Sequence, residues 1–545
     1  MRLLYASSRS CAILVDPSGD YHTAPYHVIL NGRDVGERNR AILSLFDLLP
    51  DAEYALEARR DGECVGAVTF RTAGESFTLD VRRFGAVGDG IHDDTAALQA
   101  AILCCPPGGR VRVGAGDYRI RPLFLKSHIM LELKRGATLK LTADRSHFPI
   151  LPGAIPNPAG EELLLGSAEG NPLDTYASAL NAIGVEDVSI VGEGTVDGCA
   201  QFGDWWIESK RKRGAYRGHL LYLRDCRDVT VHGVSFRNSP SWNLHPCFSD
   251  RLRFIDIDIE APFDSPNTDG FDPQSCRGVK LYGAKISVGD DCVAIKSGKL
   301  YMGMKYRRPS ADIEIAWCAM LNGHGGVTVG SEMSGGVRGV RVHHCLMRGN
   351  DRGLRIKTRR GRGRYAVVDD IRFEDVRMAG VKAPLVVNAL YFCDPDGHSD
   401  WVQSRDPLPA DDTTPTLGSI TFARVKATDC HACAAYVLGL PERPMERLRL
   451  EDCDFAFALD AEPMRPAMAD GVMPCLRRGV IARNVGRVEL VNVSMDAIEG
   501  PRVEAENVGG IMEDGSYSPA CHFSTPPGAS RHPPLKGDKS YYAEL

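Results

Sequence analysis

The chain has 545 residues, 43% of them hydrophobic and 25% charged, a composition typical of globular proteins large enough for more than one domain. No run of about 18 apolar residues is present, so the sequence predicts no membrane-spanning helix. The net charge of −6 does not by itself select a class of partner.

The N-terminal stretch contains short apolar patches that are broken by Ser and Arg. It lacks a clean signal-peptide core and a cleavage site. We therefore expect a cytoplasmic protein, with a periplasmic or secreted location as the alternative for a trimmed chain.

Residues 1–76 are predicted to form a small β-domain of short strands and turns. The pattern Leu48-x-Pro50-x-x-x-Tyr54 precedes an alternating run and a glycine turn. It resembles the tyrosine corner of a fibronectin type III domain, in which the tyrosine hydroxyl bonds to nearby backbone. We expect a fibronectin III-like β-sandwich that serves as a spacer or as a wall beside the main domain.

The next segment, FGAVGDGIHDDTAALQAAI (84–102), predicts a short helix capped by Asp93 or Asp94 that covers the first turn of a stack of strands. From about residue 185 to 498, the pattern apolar-x-apolar-x-x-small/apolar-x-apolar recurs, as in Leu252-x-Phe254-x-x-Ile257-x-Ile259. Period-2 strands that recur without helical patterns between them indicate a solenoid. We predict an all-β chain with a right-handed parallel β-helix over 77–500 and a C-terminal tail over 501–545.

The chain contains 17 cysteines, and the repeat explains several of them. The chain is long and has no pair of CxxC motifs, so the sequence predicts neither a disulfide framework nor a zinc site. Cys318, Cys345 and Cys453 occupy a repeat position where other copies carry valine or alanine. We interpret them as small core residues that stack from turn to turn.

A second short strand follows the repeat in four successive turns and carries unusual polar residues. The stretches NTDGFDPQ, GDDCVAIK, GHGGVTVG and DRGLRIKT align on Phe271, Val293, Val327 and Leu354 as the first core residues. Adjacent parallel strands lie about 4.8 Å apart, so the alignment brings polar residues from different turns onto one surface patch. The residues that it gathers there are Asp269, Asp290, Asp291, His324, Arg355 and Lys357.

These side chains suggest hydrolytic chemistry. Three carboxylates within roughly 5 Å cannot all stay ionised, so the pKa of one should rise. A protonated carboxyl group is a general acid, and ionised neighbours can activate a water molecule, which together can cleave a glycosidic bond. Arg355 and Lys357 could hold an anionic substrate. Taken singly, each residue also fits a turn, a cation site or a solvated surface, but their occurrence on consecutive turns favours one shared site.

The same motifs resemble those of the polygalacturonases, glycoside hydrolase family 28, and occur in that family's order. The resemblance spans roughly residues 80–500, and the matching motifs are Asn267-Thr268-Asp269, Gly289-Asp290-Asp291, Gly323-His324-Gly325 and Arg355-Ile356-Lys357. It implies a right-handed parallel β-helix that hydrolyses α-1,4-linked galacturonate in pectin with inversion, and it implies neither a metal nor another cofactor.

The resemblance also implies roles for individual residues. Asp290 would be the general acid, and Asp269 and Asp291 would activate the water. His324 would support the acid. Arg355 and Lys357 would bind the galacturonate carboxylate. The other predicted substrate-binding residues come from the same motifs and from outward positions of the aligned strands: Asn267, Gln274, Lys296 and Arg352.

Within the family, GHGGVTVGSEMSGGVRGV and DRGLRIKTRRGRG look most like the bacterial exo-acting members, which also resemble this chain in having an N-terminal fibronectin-like domain. Exo action needs a groove that is closed at one end. The long loops at 148–180, 199–218 and 393–416 are candidates for this closure. The sequence thus predicts release of mono- or digalacturonate from chain ends.

Three alternatives remain open at the level of sequence. The first is a hydrolase of the same family that acts on rhamnogalacturonan or another substituted pectin. The second is a calcium-dependent pectate lyase whose Asp cluster holds Ca²⁺, and the third is a non-catalytic glycan-binding β-helix. A nucleic-acid partner is disfavoured because the basic run between Met347 and Tyr365 alternates with glycine and lacks stacking aromatics. The sequence does not indicate an oligomeric state.

Overall fold

The computed structural model describes residues 1–519, and these are almost entirely β-structure. Two antiparallel sheets at the N-terminus are followed by one continuous stack of parallel strands. Among residues 1–519, no helix is long and apolar enough to cross a membrane.

The N-terminal region is a small β-sandwich of a three-stranded and a four-stranded antiparallel sheet around a shared apolar core. The first sheet contains Arg2–Ala6, Cys11–Leu14 and Ile42–Leu45, and the second contains His22–Leu30, Arg33–Arg40, Glu53–Arg60 and Glu63–Arg71. The hydroxyl of Tyr54 accepts a hydrogen bond from the backbone amide of Leu49 at 2.8 Å. This is the contact that the tyrosine-corner interpretation requires. The assignment to the fibronectin type III family stays a prediction.

The sandwich packs directly on the side of the strand stack. Ile42 lies in an apolar cluster with Tyr282 and Trp317 of the stack. His232 is fully buried at this interface, and its ring nitrogens lie 3.1 Å from the hydroxyl of Ser10 and 2.9 Å from that of Ser44. Burial lowers the pKa of His232 to about 3, so this contact is made by a neutral ring.

The strand stack is a right-handed parallel β-helix built from three parallel ladders. The first ladder contains Thr78–Asp80, Gly109–Val113, Ile129–Leu133, Glu186–Gly192, Arg227–His232, Asp250–Ile255, Arg277–Tyr282, Ser310–Ala316, Val337–His343, Val367–Glu374, Thr416–Leu417, Ser419–Ala423 and Gly510–Glu513. The second contains Asp89–Asp93, Gly116–Ile120, Ala137–Leu141, Thr195–Asp197, Ser235–Arg237, Asp258–Glu260, Lys285–Ser287, Ala319–Leu321, Leu346–Arg348, Arg377–Ala379 and Lys426–Cys430.

The third ladder carries the polar motifs found in the sequence. It contains Leu123–Phe124, Leu180–Ile183, Leu221–Arg224, Leu244–Cys247, Val293–Ile295, Val327–Val329, Arg352–Lys357, Ala383–Asn388, Cys433–Leu438 and Val503–Val508. The long strand Met445–Phe457 joins the first and second ladders, and Arg478–Asp496 runs through all three.

Short helices and hairpins complete the described residues. The α-helices are Thr95–Cys104, Leu300–Tyr306 and Asp400–Gln403, and the 3₁₀ turns are Val81–Phe84, Arg145–His147 and Ala200–Phe202. Two small antiparallel hairpins pair Ile150–Leu151 with Thr175–Tyr176 and Ala154–Pro156 with Glu162–Leu164. The helix at Thr95 covers the first turn as predicted. Of the two predicted caps, Asp93 accepts a hydrogen bond from the Thr95 amide at 3.1 Å, whereas the Asp94 carboxylate accepts from Val87 and Gly88 instead.

The apolar repeat lines the interior of the stack. Leu252, Phe254, Ile257 and Ile259 are buried, whereas Arg253 between them is exposed, so the period-2 pattern faces inward as predicted. The thiols of Cys318, Cys345 and Cys453 are free and fully buried, which confirms that these residues are part of the core.

The stack continues beyond the predicted boundary at residue 500. Val503–Val508 and Gly510–Glu513 pair in parallel with the strand Arg478–Asp496, and Ser516–Pro519 folds back on the second of these in an antiparallel hairpin. Val508 is buried against the apolar interior, so these residues extend the core. Residues 520–545 of the predicted tail lie outside the described residues.

Candidate active site

The four-turn register predicted from the sequence is present in the third ladder. Phe271 pairs with Val293, Val293 with Val327, and Val327 with Leu354. All four side chains are fully buried. Because these core residues are in line, the polar residues around them meet on one side of the stack, where they line a cavity of about 1200 Å³.

Three carboxylates from two adjacent turns form a cluster at this cavity, with Asp269 and Asp290 in its wall and Asp291 fully buried beneath them. Oxygen atoms of Asp269, Asp290 and Asp291 all lie within 4.8 Å of one another. Asp269 and Asp291 are buried, whereas Asp290 is partly exposed. Asp290 therefore presents the most accessible carboxylate of the cluster.

Two cations hold Asp291 in its ionised form. Lys357 Nζ lies 2.8 Å from one carboxylate oxygen, and Arg355 Nη1 lies 3.3 Å from the other. Although burial alone would raise it, the pKa of Asp291 is lowered well below its usual range, first by Lys357 and then by Arg355. Asp291 thus remains a carboxylate across the neutral pH range.

Asp269 is shifted in the opposite direction. Burial raises the pKa of Asp269 to about 8, and the charge on Asp290 contributes to the increase. The cluster therefore carries a proton near neutral pH, as charge repulsion predicts. Because interacting carboxyl groups titrate together, this proton belongs to the cluster rather than to Asp269 alone.

Lys296 connects the cluster to a second group of carboxylates. Its Nζ lies 3.8 Å from Asp269, 3.5 Å from Asp272 and 3.4 Å from Glu332. Burial opposes the charged lysine, yet Glu332 and then Asp269 keep the pKa of Lys296 well above its usual value. Burial also raises the pKa of Asp272, which is fully enclosed. Lys296 therefore holds Asp269 in place with a full positive charge.

His324 belongs to a row that crosses three turns. The His324 amide donates to the carbonyl of Asp290 at 3.0 Å, and the Asp351 amide donates to the carbonyl of Gly323 at 3.1 Å. His324 Nδ1 lies 2.9 Å from the Asp351 carboxylate, and this hydrogen bond raises the pKa of His324. Lys382 contacts the second Asp351 oxygen at 2.9 Å. Sequence reasoning missed Asp351, although it is the first residue of the aligned stretch DRGLRIKT and lies level with His324.

Gly325, which follows His324, lies too close to the Asp291 carboxylate for any other residue. A Cβ atom at this position would lie 2.6 Å from Asp291 Oδ1 and 2.4 Å from Thr328 Oγ1. Real Cβ atoms do not approach oxygen that closely, so only glycine leaves room for the Asp291 carboxylate.

Two of the other predicted residues line the cavity but also have structural partners. The side-chain oxygen of Asn267 accepts a hydrogen bond from Arg217 Nη2 at 2.7 Å. The guanidinium of Arg352 donates to the carbonyls of Pro466 at 2.9 Å and Arg465 at 3.1 Å. Arg352 therefore anchors the segment around residue 466 over the cavity.

The structure does not bring Gln274 into the cavity. Its side chain is fully buried, and its amide donates to the Ser167 hydroxyl at 3.3 Å. Strand alternation does direct Gln274 out of the core, but the loop that carries Ser167 covers that position. The predicted substrate contact of Gln274 is therefore not supported.

All three predicted loops contribute to the cavity wall, and so do residues that sequence reasoning did not select. The loop residues that line the cavity include Glu169, Asn171, Trp205, Arg217, Asp394 and Trp401. The additional residues include Lys299, Glu332, Tyr391 and Met468. Lys299 and Glu332 come shortly after the aligned strands in the sequence, and this position could have identified them as cavity residues. Met468 lies 113 residues after Arg355, which it contacts, and no sequence pattern links its segment to the site.

The three carboxylates are spaced closely enough to hold a cation. In this structure, however, both oxygens of Asp291 are already paired with Arg355 and Lys357, and Lys296 lies near Asp269. These side chains supply the positive charge that a divalent ion would bring to an oxygen site. The arrangement therefore fits proton-transfer chemistry better than metal binding.

Comparison with known proteins relates this geometry to one family. Residues 167–455 match the family described as Glycosyl hydrolases family 28. A probable polygalacturonase from Vitis vinifera is 31% identical over 387 residues, which covers 70% of this chain and 74% of that protein. An endo-polygalacturonase from Pectobacterium carotovorum subsp. carotovorum is 30% identical over 314 residues, covering 54% and 72% respectively. The solved family 28 exopolygalacturonase of Yersinia enterocolitica covers 93% of this chain and 97% of its own with a TM-score of 0.67, and at 17% identity it shows a common fold.

Proposed function

The chain belongs to glycosyl hydrolase family 28, and on this premise we propose that it hydrolyses α-1,4-galacturonosyl linkages of polygalacturonate or oligogalacturonides from chain ends, with inversion. The observation that carries the proposal is the cluster of Asp269, Asp290 and Asp291, of which the first two line one cavity together with Arg355 and Lys357, the partners of the buried Asp291. Glycoside hydrolysis needs an acid and a base carboxylate at one bond, and a uronate substrate needs cations next to them.

In the proposed mechanism, Asp290 donates a proton to the glycosidic oxygen while Asp269 and Asp291 orient a water and accept its proton. The partial exposure of Asp290 supports its role as the acid, because the leaving oxygen must be reached from the cavity. The low pKa of Asp291 keeps it ionised, so its charge can help Asp269 to orient the water, while Asp269, whose pKa is raised, is the stronger base of the two. His324, which the Asp351 carboxylate holds by a hydrogen bond, supports the acid from the neighbouring turn.

Inversion is the part of the proposal that distance alone does not support. The carboxylate oxygens lie within 4.8 Å, closer than the about 6.5–9.5 Å separation usual for inverting enzymes. The family resemblance is the reason for proposing it. With an α-linked substrate, NMR should detect the β-anomer first, and an initial α-anomer would contradict inversion.

The walls of the cavity support exo action. Lys299 lies where two predicted loops meet: its amide donates to the carbonyl of Gly170 at 2.9 Å, and its Nζ lies 3.1 Å from Asp394. Glu169 contacts the same Nζ at 3.8 Å. These contacts join two loops at the cavity wall beyond the third-ladder strands, and on this basis we propose that this end is closed. A closed end admits the terminus of a polysaccharide but does not let the chain pass through.

The proposed activity is tested by following products over time on polygalacturonate and on defined oligogalacturonides. We expect mono- or digalacturonate from the first time points, with Asp290→Asn as the inactive control. An early ladder of mixed oligomers would contradict exo action, whereas hydrolysis only of rhamnogalacturonan would shift the substrate within the family. An unsaturated product that absorbs in the ultraviolet, lost on chelation, would identify a lyase instead. Binding without any hydrolysis would identify a glycan-binding protein.

The activity should decline as the pH rises through about 8. The active cluster carries one proton, and burial raises the pKa of Asp269 to about 8, so the active form is present below that pH and is lost above it. The dependence of kcat/KM on pH reports this group in the free enzyme. A value of kcat/KM that stays constant from about pH 7 to pH 10 would contradict the assignment.

Lys296→Met provides a directional control for this pH profile. The charge of Lys296 lowers the pKa of Asp269, so its removal should move the alkaline decline to higher pH. Lys285→Met is the matched variant, because Lys285 pairs with the half-buried Asp258 at 3.4 Å in the second ladder and does not line the cavity. It should leave the profile unchanged.

A further inference from the structure

The closed end of the cavity contains a concentration of positive charge that the proposed chemistry does not use. Lys299, Arg359 and Arg362 line this end and surround the single carboxylate of Asp394. The distances from the Asp394 oxygens are 3.1 Å to Lys299 Nζ, 3.4 Å to Arg359 Nη1 and 2.7 Å to Arg362 Nη2. Both arginine side chains are only 5% exposed. Three cations therefore share one central anion.

The ion pairs found among residues 1–519 leave this cluster with one more cation than carboxylates, since Lys299, Arg359, Arg362 and Lys210 face Asp394, Asp396 and Glu169. Arg359 makes a two-pronged contact with Asp396, which neutralises one cation, and Asp394 neutralises another. Although burial opposes it, Arg362 and then Lys299 lower the pKa of Asp394, so that carboxyl group is already ionised. Glu169, at 3.8 Å from Lys299, is itself 3.3 Å from the cation Lys210. One positive charge remains for a ligand.

Arg362 also retains unused hydrogen-bonding capacity. Among the described residues, its Nε–H is buried and has no hydrogen-bond partner. A buried donor without an acceptor costs free energy, and an anion in the cavity would remove that cost. The planar fork of arginine suits the two oxygens of a carboxylate.

We propose that Lys299, Arg359 and Arg362 form a second carboxylate-binding subsite, which holds the carboxylate of the terminal uronate of the substrate. This inference rests on the proposed hydrolysis of galacturonate chains. Lys296, which contacts Asp269, lies three residues before Lys299, and an extended chain spans about 10 Å over three residues. The subsite therefore lies within a short oligosaccharide's reach of the reacting bond, at the end where the loops stop the chain.

The consequence is a substrate preference that the catalytic residues alone do not give. The terminal sugar must carry a free carboxylate, because an ester or an alcohol at that position cannot neutralise the remaining cation. A chain end that is methyl-esterified or neutral is expected to be a poor substrate even when the uronate at the scissile bond is free.

The test uses trigalacturonate and two analogues in which the carboxyl group of one or the other terminal residue is reduced to a primary alcohol. For wild type, we expect one analogue to lose about 10- to 100-fold in kcat/KM, the range for charged hydrogen bonds. In Arg362→Gln and in Lys299→Met, the kcat/KM for trigalacturonate should fall toward the wild-type value for that analogue. The kcat/KM for the analogue itself should change little. Arg364→Gln is the control, because Arg364 is an exposed neighbour paired with Asp412, and it should retain the wild-type preference.

The outcomes separate this inference from the proposed function. If the wild type hydrolyses trigalacturonate and both analogues with equal kcat/KM, the subsite is overturned and the proposed hydrolysis stays intact. Wild-type discrimination that persists in Arg362→Gln and Lys299→Met also overturns it. Absence of hydrolysis of all three compounds overturns both. Circular dichroism would show whether each variant folds, and with two independent variants either folded one decides whether wild-type discrimination depends on this subsite.

Discussion

Asp290→Asn is expected to lower kcat by about 10²- to 10⁴-fold, the usual contribution of a general acid. The side chain keeps its size but loses the proton that the leaving oxygen needs. Asp290 lies within 4.8 Å of two other carboxylates, so removing its charge reduces repulsion in the cluster. The free energy of unfolding should therefore not fall, and urea unfolding of the variant would show that the loss is catalytic.

The role of Asp290 can be distinguished from that of its neighbours with an activated substrate. A dinitrophenyl galacturonide has a leaving group that departs without protonation, so Asp290→Asn should regain much of its rate on this compound. Asp269→Asn and Asp291→Asn should remain slow, because activation of the water is still impaired. Recovery of Asp269→Asn instead of Asp290→Asn would make Asp269 the acid, an outcome that its raised pKa makes worth measuring.

The part of the site that the sequence predicted correctly depends on the register of strands. Phe271, Val293, Val327 and Leu354 are fully buried core residues of successive turns, and period-2 alternation is visible in a single sequence. Once these positions are aligned, the spacing between parallel strands brings Asp269 beside Asp291 without further information. The catalytic cluster was predictable because it is local to the ladder.

The parts that sequence reasoning missed depend on contacts between distant segments. Gln274 points out of the core as alternation predicts, but the loop around Ser167 covers it. Arg352 lies on the predicted strand, yet its guanidinium is used by carbonyls of Pro466 and Arg465. Loop paths are set by such long-range contacts, and no local period in the sequence records them.

Glu442→Gln is expected to lower the free energy of unfolding by about 3–5 kcal/mol, the cost of leaving a buried charge without its partner. Arg360 and Glu442 are 2% and 1% exposed and are joined by two hydrogen bonds, at 2.7 and 2.8 Å. Arg360 Nη1 also donates to the carbonyls of Trp401, Val402 and Ser404 at 3.0–3.1 Å. The pair therefore fixes the 393–416 loop to the body of the β-helix. Urea unfolding would measure the loss, and hydrogen exchange of residues 399–405 would locate it.

Asp412→Asn is the matched control, because it removes an acidic partner from the exposed pair with Arg364, where 0–1 kcal/mol is expected. Equal effects of the two variants would contradict the importance of the buried pair. Glu442→Gln also tests the link between this pair and the proposed exo action, because the same loop carries Asp394 to its contact with Lys299 in the cavity wall. If closure there determines the products, this variant should release longer oligomers than wild type, whereas Asp412→Asn should not. Unchanged products with a lowered stability would mean that the contacts of Lys299 and Gly170 close the cavity without help from this loop.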